Sequence, residues 1–185
     1  MKKIAVFASG SGSNAESIIR HFRDSNKGIV ALVASNRQEA FVLERAKQHH
    51  IPFLTFNKSE LESGVVRDHL VQNKIDLVVL AGFLLKIPDN LIESFPKSII
   101  NIHPALLPKF GGKGMYGSFV HQAVKEMGEK KSGITIHYVN NHYDDGKIIF
   151  QKSVEILPDD NPEEIAKKVL VLEHKYYPNV IESLL

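Results

Sequence analysis

Cysteine is absent from the 185 residues, and the net charge is only +2. Without cysteine the chain forms no disulfides, no thiolate nucleophile and no cysteine-based zinc or iron–sulfur site. It also lacks a run of Lys and Arg interleaved with aromatic residues, which is the pattern of a nucleic-acid groove. These absences exclude disulfide-stabilised, thiol-dependent and nucleic-acid-binding classes of protein.

Long hydrophobic runs are missing too. The first run, Ile4 to Ala8, is too short for the apolar part of a signal peptide, and no later run approaches the length of a membrane span. Hydrophobic residues make up 43% and charged residues 24% of the chain, as in ordinary soluble domains. We therefore expect residues 1–185 to form a single cytoplasmic domain.

Apolar segments alternate with amphipathic ones. KIAVFA, GIVALVAS, IPFLTF, IDLVVLAGF and KSIINIH predict strands, and the segments between them predict helices. The alternation predicts an α/β fold with a Rossmann-like, mostly parallel sheet flanked by helices. SGITIHYVN and GKIIFQKSVEIL predict a C-terminal antiparallel strand segment, followed by a final helix that starts at Asn161.

Two further helix starts are predicted from capping boxes. Ser13 with Glu16 would open the first helix, and Ser59 with Glu62 would open a helix that runs through Asn73. Ligands of such sheets bind beyond the carboxyl ends of the strands. Three segments are expected to converge there: Gly10–Asn14, Ala81–Leu85 and Asn101–Pro104.

The glycine-rich turn after the first strand permits more than one function. Gly10, Gly12 and Ala15 fit the dinucleotide pattern, and Arg37 after the second strand would suit the 2′-phosphate of NADP. Alternatively the turn is a phosphate cradle at a helix start, or a tight turn that binds nothing. The polar side chains that favour the phosphate cradle are Ser11, Ser13 and Asn14.

Asn101 and His103 are two residues apart on a predicted strand, so their side chains point to the same side. An amide donor beside an imidazole suits the stabilisation of an oxyanion. Asp144 and Asp145 are either turn residues or the source of a carboxylate that supports the histidine. No HExxH or comparable spacing appears, so we expect no metal.

The motifs FASGSGSN, VVLAGF, SIINIHPALLP, GITIHYV with DDG, and LEHKYYP resemble, in order and spacing, those of the phosphoribosylglycinamide (glycinamide ribonucleotide) formyltransferases. The resemblance covers essentially the whole chain. It implies the formyltransferase fold and transfer of a formyl group from 10-formyltetrahydrofolate, as co-substrate, to the amine of glycinamide ribonucleotide in purine synthesis.

The resemblance also implies roles for individual residues. Asn101 and a protonated His103 would stabilise the tetrahedral oxyanion, and Asp144 would support the imidazolium. Glu173 would bind ribose hydroxyls. The phosphate-binding residues would be Gly12, Ser13 and Asn14. The folate-binding residues would be Phe83, Leu84, Leu85, Lys86, Ile87 and Asn101.

Two departures from the family pattern are visible. The glycine-rich segment 110–118 is longer than in many members, so no role is assigned to His121, and Lys86 stands near a position where many relatives have Arg.

A formyltetrahydrofolate deformylase and an NADP-binding reductase remain alternatives. Methionyl-tRNA formyltransferases carry a further RNA-binding domain, which we do not expect here. The expected partners are small molecules, without nucleic acid or membrane, and the expected assembly is a monomer or weak homodimer.

Overall fold

The computed structural model describes residues 1–185 and contains a seven-stranded sheet of order β3-β2-β1-β4-β5-β6-β7. The first five strands along the chain pair in parallel, whereas β6 pairs antiparallel with both β5 and β7. The predicted α/β class and the C-terminal antiparallel segment are therefore confirmed. The strands are β1 (Lys2–Phe7), β2 (Gly28–Ser35), β3 (Phe53–Thr55), β4 (Leu77–Leu80), β5 (Ile99–His103), β6 (Lys131–Tyr138) and β7 (Ile148–Glu155).

Helices cover both faces of the sheet, and for that reason β4 is buried along its whole length. α1, α2 and α7 enclose one apolar core, and α3, α4 and α5 enclose the other. No helix combines the length and the hydrophobicity that a membrane crossing requires. The helices are α1 (Ser13–Phe22), α2 (Phe41–Gln48), α3 (Lys58–Ser63), α4 (Val65–Gln72), α5 (Asp89–Ser94), α6 (Ser118–Glu126) and α7 (Pro162–Ser183).

Two predicted helix starts are wrong. α1 is capped by the backbone of Gly12 without a side-chain bond, so the Ser13–Glu16 capping box does not form. The predicted helix from residue 59 to 73 is two helices, α3 and α4, because Gly64 adopts a left-handed conformation between them. Their capping box is made by Asn57 and Glu60, two residues before the predicted pair.

α7 starts as predicted, with Asn161 and Glu164 forming a reciprocal capping box. Its buried stripe repeats every four residues and faces the sheet. Glu173 lies within this stripe, where an apolar residue is the rule, and therefore calls for a functional explanation. The stripe consists of Ile165, Val169, Glu173, Tyr177 and Ile181.

We expect Asn161→Ala to lower the free energy of unfolding by about 1 kcal/mol, because the Glu164 N–H loses its acceptor. Urea unfolding measures this as a lower midpoint at an unchanged slope. Asn161→Asp is the control, since aspartate caps equally well and should keep the wild-type midpoint. Equal midpoints for all three proteins would contradict the capping contribution.

Candidate active site

A cavity of about 750 Å³ opens at the carboxyl ends of β4 and β5, and α7 and the 110–118 segment form its other walls. The segments after these two strands line it, as does the turn that follows β6. From the glycine-rich turn after β1, only Asn14 reaches the lining. All three predicted segments thus meet at one sheet edge, although the glycine turn contributes a single side chain.

His103 ends β5 and is only 3% exposed. Its Nε2 lies 2.7 Å from the carbonyl oxygen of Phe110, and since a carbonyl only accepts, Nε2 carries a hydrogen. Its Nδ1 lies 3.5 Å from Oδ2 of Asp144. The proton that makes His103 an imidazolium is therefore held at Nδ1, facing the carboxylate.

Burial lowers the pKa of His103, and the nearby His137 lowers it further, whereas the Asp144 charge and the Phe110 carbonyl only partly oppose this. The pKa of the imidazole therefore lies below its ordinary value, and the protonated His103 that the resemblance implies stays a prediction. The physical reason for the lowered pKa is that desolvation at the buried strand end outweighs one carboxylate 3.5 Å away.

Asp144 lies in the turn between β6 and β7 and has a left-handed φ of 51°. Burial raises the pKa of its carboxyl, but bonds and charges from His137, His103 and the Gly112 N–H together hold this pKa below its usual value. The Gly112 N–H donates to Oδ2 over 3.0 Å. Asp144 is therefore ionised, and it anchors the 110–118 segment beside His103.

Asn101 is oriented by His137, for which no role was predicted. It pairs with His137 across β5 and β6. His137 donates from Nδ1 to the Tyr138 carbonyl over 2.9 Å, and its Nε2 lies 3.2 Å from Nδ2 of Asn101 and 3.6 Å from Oδ1 of Asp144. The second hydrogen of Nδ2 lies toward Asp144, at 3.4 Å. Pairing GITIHYV with SIINIH as neighbouring strands is the signal that would have revealed His137.

His121, left without a role by the sequence, lies on α6 and lines the cavity. It is 6% exposed, and its Nδ1 has no hydrogen-bond partner. Burial lowers its pKa, and the charge of His103 lowers it further. α6 therefore brings a buried imidazole with a lowered pKa into the wall of the pocket.

Glu173 and Asn14 form a polar pair on another wall. Nδ2 of Asn14 donates to the Glu173 carboxylate over 2.7 Å, and Glu173 is 8% exposed. Burial raises the pKa of Glu173, and the Asn14 bond opposes this. Oδ1 of Asn14 is buried without a partner. The pair therefore presents acceptors that suit a ligand with hydroxyl donors.

Gly12 and Ser13 lie beside this pair but outside the cavity lining. Gly12 has a φ of 73°, and a Cβ there would lie 2.4 Å from Val42. The glycine thus permits α1 to pack closely against α2. Arg45 on α2 donates from Nε to the Ser11 carbonyl over 2.8 Å and fixes the turn. The first N–H groups of α1 have no partners within the helix.

The segment after β4 lines the cavity at every position predicted for folate, Phe83, Leu84, Leu85, Lys86 and Ile87. The Phe83 ring packs against Phe7 and Phe56, with centroids 5.3 and 6.0 Å apart. This packing fixes the main chain at the cavity wall.

No group of three or more His, Asp or Glu side chains is arranged to hold a metal ion.

A family model described as formyl transferase matches residues 2–181, nearly the whole chain. The chain belongs to the formyl transferase family. It is 42% identical to phosphoribosylglycinamide formyltransferase of Bacillus subtilis, with 100% of this chain and 95% of that protein covered. It is also 46% and 43% identical, over 99% of its length, to the chloroplastic phosphoribosylglycinamide formyltransferases of Arabidopsis thaliana and Vigna unguiculata. The chain spans only 65% and 61% of the length of these two proteins.

Solved structures of the formyl transferase family share the architecture. Glycinamide ribonucleotide transformylase 1 from Symbiobacterium toebii superposes with a TM-score of 0.90 at 34% identity, over 98% of this chain and 86% of that one. Phosphoribosylglycinamide formyltransferase from Bacillus halodurans gives 0.89 at 36% identity, over 100% and 95%. These likenesses confirm the formyltransferase fold that the motifs implied.

Proposed function

We propose that this chain transfers the formyl group of 10-formyltetrahydrofolate to the amine of glycinamide ribonucleotide, giving formylglycinamide ribonucleotide and tetrahydrofolate. One observation carries the proposal. The amide of Asn101, the imidazole of His103 and the carboxylate of Asp144 share one corner of a cavity whose other wall bears the Asn14–Glu173 pair. At about 750 Å³ the cavity has the size of a ligand-binding pocket, and its lining extends from the Asn14–Glu173 pair to the segment after β4.

The ribonucleotide would occupy the side formed by α1 and α7. The Glu173 carboxylate and Oδ1 of Asn14 supply acceptors for the ribose hydroxyls, which are donors. The phosphate would meet the N-terminal turn of α1, at Gly12 and Ser13, where the helix dipole favours an anion. Glu173 therefore replaces an apolar residue in the buried stripe of α7 because it binds a substrate.

The formyl folate would occupy the opposite side, along the segment after β4. Residues 82–87 line the cavity, and their main chain offers hydrogen-bonding groups to a pterin ring, other than the Gly82 carbonyl and the Leu84 N–H, which bond to Ser9. The turn at 139–144 also lines the cavity and offers such groups. Asn101 lies between the two sides. The formyl carbon would then lie beside Asn101 and His103 with the ribonucleotide amine next to it, so positioning would supply much of the rate.

Asn101 and His103 would carry the chemistry. As the amine attacks, a carbon–nitrogen bond forms and the formyl oxygen becomes an oxyanion, to which Nδ2 of Asn101 donates the hydrogen that otherwise points toward Asp144 over 3.4 Å. The neutral His103 takes up the proton that the amine loses, directly or through one water, and Asp144 stabilises the resulting imidazolium. The proton then passes to N10 as its bond to the formyl carbon breaks, so that atoms and charge balance.

The test is absorbance-monitored consumption of 10-formyltetrahydrofolate, with and without glycinamide ribonucleotide. We expect turnover only when the ribonucleotide is present. Turnover without it would identify a deformylase, in which water replaces the amine. No turnover in either case, together with tight binding of NADPH, would identify a dinucleotide-binding protein and contradict the proposal.

The proposal includes small-molecule partners only, a single domain over residues 1–185, and a cytoplasmic location. The low net charge and the absence of a basic stretch support partners other than nucleic acid. We further propose a monomer or weak homodimer, which sedimentation at several protein concentrations tests.

A further inference from the structure

Ser9 lies outside the cavity lining, yet it connects two loops that border the cavity. It lies two residues after the end of β1 and is 1% exposed. Its backbone N–H donates to the Gly82 carbonyl over 3.0 Å, and its hydroxyl accepts from the Leu84 N–H over 3.0 Å. One serine thus joins the turn that leads to Asn14 to the segment that follows β4.

A third contact fixes the orientation of this hydroxyl. Ser9 donates from Oγ to Oδ1 of Asn36, just after β2, over 2.6 Å. A hydroxyl has one hydrogen to donate, so this bond turns its lone pairs toward the Leu84 N–H. Neither Ser9 nor Asn36 lines the cavity. Any effect of this pair on the reaction must therefore pass through the positions of the two loops.

We propose that Ser9 is a positioning residue that sets the separation between the ribonucleotide loop (residues 10–14) and the folate segment (residues 82–87). The inference rests on the proposed function, because only a reaction between two bound substrates requires that separation to be fixed. A misplacement of about 1 Å can cost up to about a hundredfold in rate. The hydrogen bonds that join Asn36, Ser9 and Leu84 limit such movement.

The variant Ser9→Ala removes the acceptor of the Leu84 N–H and the donor to Asn36. We expect kcat to fall about tenfold while the KM of each substrate changes by less than about twofold, because the substrate-contacting groups remain. The matched control is Ser132→Ala. Ser132 is also buried, at 2% exposed, but its hydroxyl has no hydrogen-bond partner, so its loss should leave kcat unchanged.

Asn36→Ala removes the outer anchor at a less buried position and should lower kcat in the same direction. Because both residues act through one chain of bonds, the double variant should be no slower than Ser9→Ala alone. Circular dichroism and the stoichiometry of ribonucleotide binding give the folded fraction, to which every kcat is normalised. If Ser9→Ala does not fold, Asn36→Ala decides the test.

A normalised kcat of the deciding variant within twofold of wild type would overturn the inference. A loss of kcat/KM that comes entirely from a higher KM would overturn it as well. Either result, obtained beside an active wild type, leaves the proposed function intact. Wild-type protein that does not transfer formyl to glycinamide ribonucleotide would overturn the proposed function and this inference with it. The two failures are thus distinguished by the wild-type assay alone.

Discussion

His103→Ala should lower kcat by about 10²–10³-fold while the protein keeps its fold, because the variant has no group to take up the amine proton beside the developing oxyanion. The side chain hydrogen bonds only to the Phe110 carbonyl, so its removal leaves the sheet unaltered. The measurement is the steady-state kcat of ribonucleotide-dependent formyl transfer, with melting temperature as the check on folding.

His69→Ala is the matched control, since His69 lies on α4, which packs against the other face of the sheet and away from the cavity. It should leave kcat unchanged. Asn101→Ala should resemble His103→Ala, because it removes the amide donor that His137 orients. Near-wild-type turnover in His103→Ala would contradict its role as proton acceptor, and near-wild-type turnover in Asn101→Ala would contradict its role as donor to the oxyanion.

The sheet and its active edge could be predicted because the governing signals are local. The apolar run of β4 and the strong helix start at Asn161 depend on neighbours in sequence, and both appear in the structure as expected. Parallel strands also place their carboxyl ends at one edge of the sheet, so the position of the cavity could be predicted from the strand order along the sequence. The errors arose where two local signals competed, as at Gly64, whose left-handed backbone outweighed a continuous helical pattern.

The parts of the site that the sequence missed depend on contacts between distant segments. His137 orients Asn101 only because β5 and β6 are neighbours, and nothing within either segment announces that pairing. His121 lines the cavity from α6, a helix that is distant in sequence from β5 and its His103. The lowered pKa of His103 likewise follows from burial, which spacing along a strand does not reveal.

Asp144→Asn should lower kcat by about 10²-fold and shift the pH dependence of turnover. The Asp144 charge raises the pKa of His103 against the larger effect of burial, which lowers it. Asparagine carries no charge, so the pKa of His103 falls further. Since the neutral imidazole accepts the proton, activity rises with pH through this pKa, and the acidic limb of the profile must move to lower pH in the variant.

The control is Asp145→Asn, because Asp145 contacts Asn140 at the far side of the same turn, without any contact to His103. Its acidic limb should coincide with that of wild type. A shift in Asp145→Asn and none in Asp144→Asn would reverse the assignment of the two carboxylates. An acidic limb that moves to higher pH in Asp144→Asn would show that Asp144 does not act on His103 through its charge, because removing a neighbouring anion cannot raise the pKa of an imidazole.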